Sequence, residues 1–195
     1  MRHTFAEMVL PFTRAQREHW NQADAVGKRV LVPSFHAVHP MVVRQPTYHF
    51  GEFFTLRHLH EREGWLGYRF FVLAYLDDFA NERYAPGGEQ IRKLIPRARL
   101  DAYIRARGTG RTDAGDPDLF LYKPTGETMF LEVKVGKDRF HDDGRQLQAL
   151  GQIREVLGSR AEVVHLVEEG LSYSPKTYWV DVAPIGTHPT AHGIE

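Results

Sequence analysis

Apolar residues along the chain recur with two different periods, and the switches between them outline the secondary structure. In FGEFFTLRHLHEREG (50–64), Glu52, Leu56, Leu59 and Glu63 stand at i, i+4, i+7 and i+11, on one face of a helix that Gly64 ends. DGRQLQALGQIREVLG (143–158) shows the same period through Leu147, Leu150, Ile153, Val156 and Leu157, and stops at Gly158. TRAQREHWNQADAV (13–26) reads as another helix, and GGEQIRKLI (87–95) and RLDAYIRAR (99–107) as two helical pieces separated by Pro96. DLFLY (118–122) and MFLEVKV (129–135) read as antiparallel strands joined by KPTGE, where Pro and Gly suit a turn. AEVVHLV (161–167) and TYWVDVA (177–183) read as further strands, as do the short runs KRVLV (28–32) and HPMVV (39–43). WLGYRFFVLAYL (65–76), nearly all apolar, fits a strand covered on both faces.

This order predicts an α/β protein with a central mixed β-sheet flanked by helices. Residues 1–47, interrupted by Pro40 and Pro46, read as an N-terminal extension packed on the core. The main domain is expected over 48–183, with an inserted helical segment at about 77–112 and a flexible tail at 184–195. At 195 residues and 42% hydrophobic, one domain with a full core is expected. The absence of cysteine excludes disulfides, zinc–thiolate sites and cysteine nucleophiles. No apolar run is long enough to cross a bilayer and the start lacks a signal peptide's apolar stretch, so a cytoplasmic protein is expected. Net charge is zero, but between Arg92 and Arg111 seven basic residues face one acid, Asp101. That run, with Arg105, Arg107 and Arg111, fits either contact with a polyanion or a solvated helix face.

The hairpin GDPDLFLYKPTGETMFLEVK (115–134) carries charge where strands usually exclude it. Alternation puts Glu132 and Lys134 on one face and Leu131, Val133 and Val135 on the other. The short turn lets Asp118 lie across from Glu132, and two converging carboxylates repel unless a cation sits between them. Hard oxygen ligands suit magnesium or manganese, with the backbone carbonyl of Val133 as a further ligand. Lys134 could orient a water or stabilise charge growing on a phosphorus centre, which together fits metal-assisted phosphodiester hydrolysis. A bare ExK is common and is usually a surface pair; here it follows a PD dipeptide that opens the partner strand.

Gly115, Pro117, Asp118 and Leu119, followed by Glu132, Val133 and Lys134, resemble the PD-(D/E)xK nuclease superfamily. More narrowly they resemble its VRR-NUC (virus-type replication-repair nuclease) branch, in which G-x-PDL and EVK precede a polar linker and S-x-x-Q opening a helix. DGRQ (143–146) corresponds to that third element, with Asp143 where the family has Ser. Gln146 completes a capping box there, or points to the active site as the resemblance implies. The resemblance covers about residues 50–167 and implies a restriction-endonuclease-like core, with Mg2+ or Mn2+ as cofactor and no small-molecule cofactor. It implies a glutamate on the first helix that reaches the metal, for which Glu52 fits better than Glu61 or Glu63 near the helix end. It also implies a homodimer acting on branched, flapped or junction DNA in replication, repair, recombination or mobile-element biology. Lys137 and Arg139, just beyond the second strand, join the basic run as candidate DNA contacts. Residues 1–47 have no counterpart in the family pattern, and 77–112 is longer than a minimal member requires. The competing reading is a nucleic-acid-binding module that keeps the fold without turnover. The eleven histidines, including His36, His39, His58, His60 and His141, form no zinc motif, and the scattered Trp20, Trp65 and Trp179 suggest core positions.

Overall fold

The structure, a computed structural model, describes residues 1–32, 47–73, 83–107, 115–140 and 144–182, and the backbone of 192–194. Its centre is a mixed seven-stranded sheet in the order β2-β3-β4-β5-β1-β6-β7. The strands are β1 (Arg2–Phe12), β2 (Leu66–Tyr68), β3 (Leu119–Tyr122), β4 (Thr128–Val135), β5 (Arg160–Glu168), β6 (Thr177–Asp181) and β7 (His192–Ile194). β4, β5 and β1 run parallel in the middle, and the outer pairs are antiparallel. Helices cover both faces, as the sequence pattern requires of strands this apolar. On one face lie α4 (Ala85–Leu94), α5 (Arg97–Arg107) and α6 (Arg145–Gln152), which meet Phe5, Phe120, Phe130 and Val163 through Ile91, Tyr103, Leu147 and Leu150. On the other, α1 (Arg14–Gln22) and α3 (Phe50–Glu63) bring Trp20, Phe53, Leu56 and Leu59 onto Leu119, Leu121, Leu131 and Val164.

The N-terminal segment corrects the sequence reading. Residues 2–12 do not pack on the core from outside; they form β1, paired in parallel with β5 and antiparallel with β6. The polar residues Arg2, His3, Thr4 and Glu7 disguise the strand, yet Phe5, Leu10 and Phe12 are buried. Thr13 closes the strand and opens α1 with a reciprocal capping box to Gln16. KRVLV is not a strand either: Asp24 accepts from the Gly27 N–H at 2.8 Å and caps α2 (Ala25–Leu31). HPMVV lies outside the described residues, as do Pro40, Pro46 and His141.

Elsewhere the pattern holds. α3 ends at Gly64 with φ 73°, and the helix from Arg145 stops at Gly158 with φ 69° after a π-helical turn, Ile153–Leu157. In 65–76, by contrast, only Leu66–Tyr68 joins the sheet. Phe70, Phe71 and Leu73 are buried without a ladder, because α4 crosses close over them: a Cβ on Gly87 would stand 2.4 Å from the Phe70 carbonyl oxygen. Within 184–195, where a loose tail was expected, residues 192–194 pair with β6.

Candidate active site

Unequal strand lengths build the site. β3 pairs with β4 only as far as Leu119↔Leu131, whereas β4 continues alongside β5 to Val135↔Leu166. The last residues of β4 therefore have a bare edge on the β3 side. Asp118, one residue before β3 and across from Glu132, occupies that edge: its Oδ2 accepts from the Val133 N–H at 2.9 Å. In a ladder the N–H and C=O of one residue face the same neighbour, so the Val133 carbonyl faces the Asp118 side too.

Glu132 and Lys134 share a face, as alternation predicts, and both are buried. Lys134 Nζ donates to Glu132 Oε1 at 2.7 Å and to Gln146 Oε1 at 3.2 Å, and lies 4.8 Å from the centre of the Phe140 ring. The Gln146 amide also donates to Glu132 Oε1. The Gln146 side chain thus bridges Glu132 and Lys134; the N-cap of its helix among the described residues is Gly144 in the left-handed region, with no side-chain cap hydrogen bond. Asp143, the expected capping partner, lies outside the described residues.

Glu52 enters from α3 on the opposite face of the sheet. The approach is close because residue 51 is glycine: a Cβ there would meet Val135 Cγ2 at 2.5 Å and Val133 Cγ1 at 3.2 Å. Glu52 Oε1 accepts from His49 Nδ1 at 2.9 Å and from Arg69 Nε at 2.8 Å. His49 holds φ 64°, the only described non-glycine residue in that region. These groups line one cavity of about 470 Å³ with Asp118, Glu132 and Lys134.

The electrostatics divide the three carboxylates. Burial and the Glu52 charge push Asp118 up to about 6, while burial and the Asp118 charge push Glu132 well above the usual carboxylate range. Burial works against ionised Glu52, but the His49 hydrogen bond and the Arg69 charge outweigh it and hold this carboxyl at about 2. Asp118 and Glu132 are thus short of positive charge, and Glu132 Oε2 is buried with no hydrogen-bond partner. An orphaned carboxylate oxygen beside a second, mutually repelled carboxylate fits a divalent cation held by oxygen ligands. Among the described residues there is no group of three or more acidic or imidazole side chains that could hold a metal ion.

The basic candidates separate. Arg139 is exposed and lines the same cavity, whereas Lys137 lines a neighbouring one of about 370 Å³. Arg107 is drawn inward, 3.6 Å from Asp116 and bonded to the Arg145 carbonyl, so it braces the approach to β3 and is not open to a polyanion. Arg105 is exposed on α5, and Arg111 lies outside the described residues. The sequence reading missed Arg69, His49 and Arg17, all on the cavity wall. Arg69 carried a signal of the kind that marked Glu132, a charge inside an apolar run.

No family model matches the chain, and no curated protein matches it. Among solved structures, the chain is similar to paFAN1 in a crystal structure with a 2-nucleotide 5′-flap DNA with a gap. The identity is 19% and the TM-score 0.40, over 86% of this chain and 38% of that one.

Proposed function

We propose that the protein is a metal-dependent DNA endonuclease on a restriction-endonuclease-like core, hydrolysing phosphodiester bonds at the end of β4. The observation that carries this is the buried, mutually repelled pair Asp118 and Glu132, with an unpartnered Glu132 oxygen and the Lys134 ammonium beside it. Asp118, Glu132 and the Val133 carbonyl would hold Mg2+ or Mn2+, which supplies Lewis acidity and charge neutralisation at the phosphate. Lys134, fixed by Glu132 and Gln146, presents an ammonium where it can orient the attacking water and offset negative charge on the pentavalent phosphorus. Gln146 completes this arrangement by holding Glu132 and Lys134 together. The exposed Arg139, with Lys137 beyond it, would follow the DNA backbone. Selectivity for branched, flapped or junction DNA, a homodimer that cuts two strands, and a place beside the nucleoid follow from the resemblance of the PD and EVK elements. Among the described residues no helix is long and apolar enough to cross a membrane.

The test is cleavage of labelled linear, flapped and four-way-junction DNA with Mg2+, Mn2+ or EDTA. Metal-dependent cutting that disappears in Lys134→Ala and Asp118→Ala is expected. DNA binding that ignores metal, with no cutting under any condition, would make the protein a binding module and overturn the reading.

A further inference from the structure

We propose that Tyr48 stacks on an unpaired base of the bound nucleic acid, with Arg17 on the adjoining phosphate, so that this cavity takes a single strand and not a duplex. The proposal deepens the nuclease reading and rests on it for the fate of the strand, but the stacking is testable on uncut DNA. Tyr48 is the only exposed Phe, Tyr or Trp among the described residues, at 60%. It lines the cavity that Asp118, Glu132 and Lys134 line, and so does Arg17. Among the described residues its one ring contact is with His49, 6.2 Å between centroids at a 59° tilt, and its hydroxyl makes no hydrogen bond. Isolated exposed apolar residues are common, and Val26, Val30 and Leu171 are of that kind. Tyr48 differs in facing a polar cavity with buried carboxylates in its wall.

The backbone that presents this ring is held on both sides. The Tyr48 carbonyl accepts from Trp20 Nε1 at 3.1 Å, and Trp20 is itself buried against Phe53, 5.2 Å between ring centroids. The next residue, His49, is the left-handed N-cap of α3 and bonds to Glu52 at 2.9 Å. A tyrosine on a fixed backbone has two torsions left to order, so it offers a large contact area at low entropic cost. A base inside a duplex has both π faces covered by its neighbours; an unpaired base has a face to give to an aromatic ring, whatever its identity. The cavity holds about 470 Å³, the scale of a site for one small molecule and not for a double helix. Arg17 and Arg139 are exposed on it and form no ion pair among the described residues, so both can meet the phosphates of the strand.

Three variants test this: Tyr48→Ala, Tyr48→Phe and Arg17→Gln, each first checked by thermal melting. The probes are a labelled single-stranded oligonucleotide, a flapped duplex and a fully paired duplex, titrated in EDTA over a range of salt. Tyr48→Ala should weaken binding of the single strand and the flapped duplex by about five-fold or more, the loss of one stacked base, and leave the paired duplex within about two-fold. Tyr48→Phe should bind like wild type, because the ring stacks and the hydroxyl does not. The slope of log Kd against log salt should be unchanged in Tyr48→Ala and lower by about 0.7 in Arg17→Gln, one phosphate on a single strand. An unchanged slope in Arg17→Gln overturns the phosphate contact. Unchanged single-strand binding in Tyr48→Ala overturns the stacking, and a smaller oligomer in that variant would then show that a second copy covers the ring. Equal weakening on the paired duplex overturns it too, making Tyr48 a wedge between paired bases. A wild type that binds no single strand overturns the whole proposal. Should Tyr48→Ala fail to fold, 2-aminopurine fluorescence with wild type decides: quenching on binding at unpaired positions alone supports the stacking, and equal quenching at paired ones, or none, overturns it. A wild type that binds but cuts nothing with Mg2+ or Mn2+ overturns the nuclease reading, while the titrations in EDTA still decide for or against Tyr48.

Discussion

Replacing Glu7 by alanine should cost this protein a large part of its stability, although Glu7 lies outside the candidate site. Its side chain is fully buried on β1 and accepts four hydrogen bonds. The donors are Tyr178 Oη at 2.7 Å, His165 Nδ1 at 3.2 Å, the Lys176 N–H at 2.9 Å and Tyr173 Oη. Truncation leaves two phenols and a backbone N–H in the interior without their acceptor, at about 1–3 kcal/mol for each stranded donor, so a loss of about 3–5 kcal/mol is expected. For a chain of this length each kcal/mol moves Tm by about 2–4 °C, so the fall should be about 6–20 °C by scanning calorimetry at pH 7. Glu18→Ala, which removes the exposed Arg14–Glu18 pair, serves as a control and should leave Tm unchanged. The pH dependence adds a second check. Burial opposes ionised Glu7, but hydrogen bonds from Tyr173, Lys176 and Tyr178 outweigh it and keep this carboxyl below its ordinary value. A depressed carboxyl contributes stability that is complete above its unfolded pKa and is lost as pH falls through the folded one. The gap between wild type and Glu7→Ala should therefore shrink between pH 7 and pH 3. A fall in Tm below about 3 °C, or a gap that widens in acid, would refute the argument.

Three further outcomes follow from the site. Asp118 is raised to about 6, so its proton stabilises the cation-free fold below the unfolded carboxyl pKa, and that contribution is lost as pH rises through 6. Mg2+ or Mn2+ should accordingly raise Tm more at pH 8 than at pH 5 in differential scanning fluorimetry; an equal rise at both would sever the cation from Asp118. Gly51→Ala gains helix propensity but drives a Cβ against Val135 Cγ2, and overpacking of this kind costs about 1–3 kcal/mol. Urea melts should show Gly51→Ala less stable than wild type and Gly51→Ala/Val135→Ala recovering part of the loss. Gln146→Ala should slow cleavage by about ten-fold or more while leaving the helix content by circular dichroism unchanged, because its side chain holds Glu132 and Lys134.

How far the fold was legible depended on whether a segment's polar residues find their partners nearby. α3 could be read to its last residue because its face is made by neighbours at i+4 and i+7 and its end by a glycine. β3 and β4 could be read because a five-residue turn fixes their register, which puts Asp118 opposite Glu132 as alternation demands. β1 could not. Glu7 looks like a surface residue until His165, distant by 158 positions, is placed beside it by the parallel pairing of β1 with β5. A buried charge satisfied from across the sheet leaves no local trace. α2 was misread for a similar reason in reverse: the apolar run Val30–Leu31–Val32 suggests a strand, but the Asp24 cap commits the preceding residues to a helix.

The candidate site shows the same division at finer scale. Its chemistry was visible wherever a charge interrupts a strand, since Glu132 and Lys134 have no solvent to escape to and must face each other or a ligand. Its geometry was not, because it arises from a mismatch between elements. β4 outruns β3, so the Val133 edge lacks a strand partner and a carboxylate takes the place of one. That same uncovered end is where α3 and α6, on opposite faces of the sheet, can both reach β4. Glu52 comes through the gap that Gly51 leaves against Val135, and Gln146 comes from the first turn of its helix, just beyond the left-handed Gly144. Lengthening β3 by two paired residues would satisfy Val133 from the backbone and displace Asp118, closing the site without altering one of its charged groups.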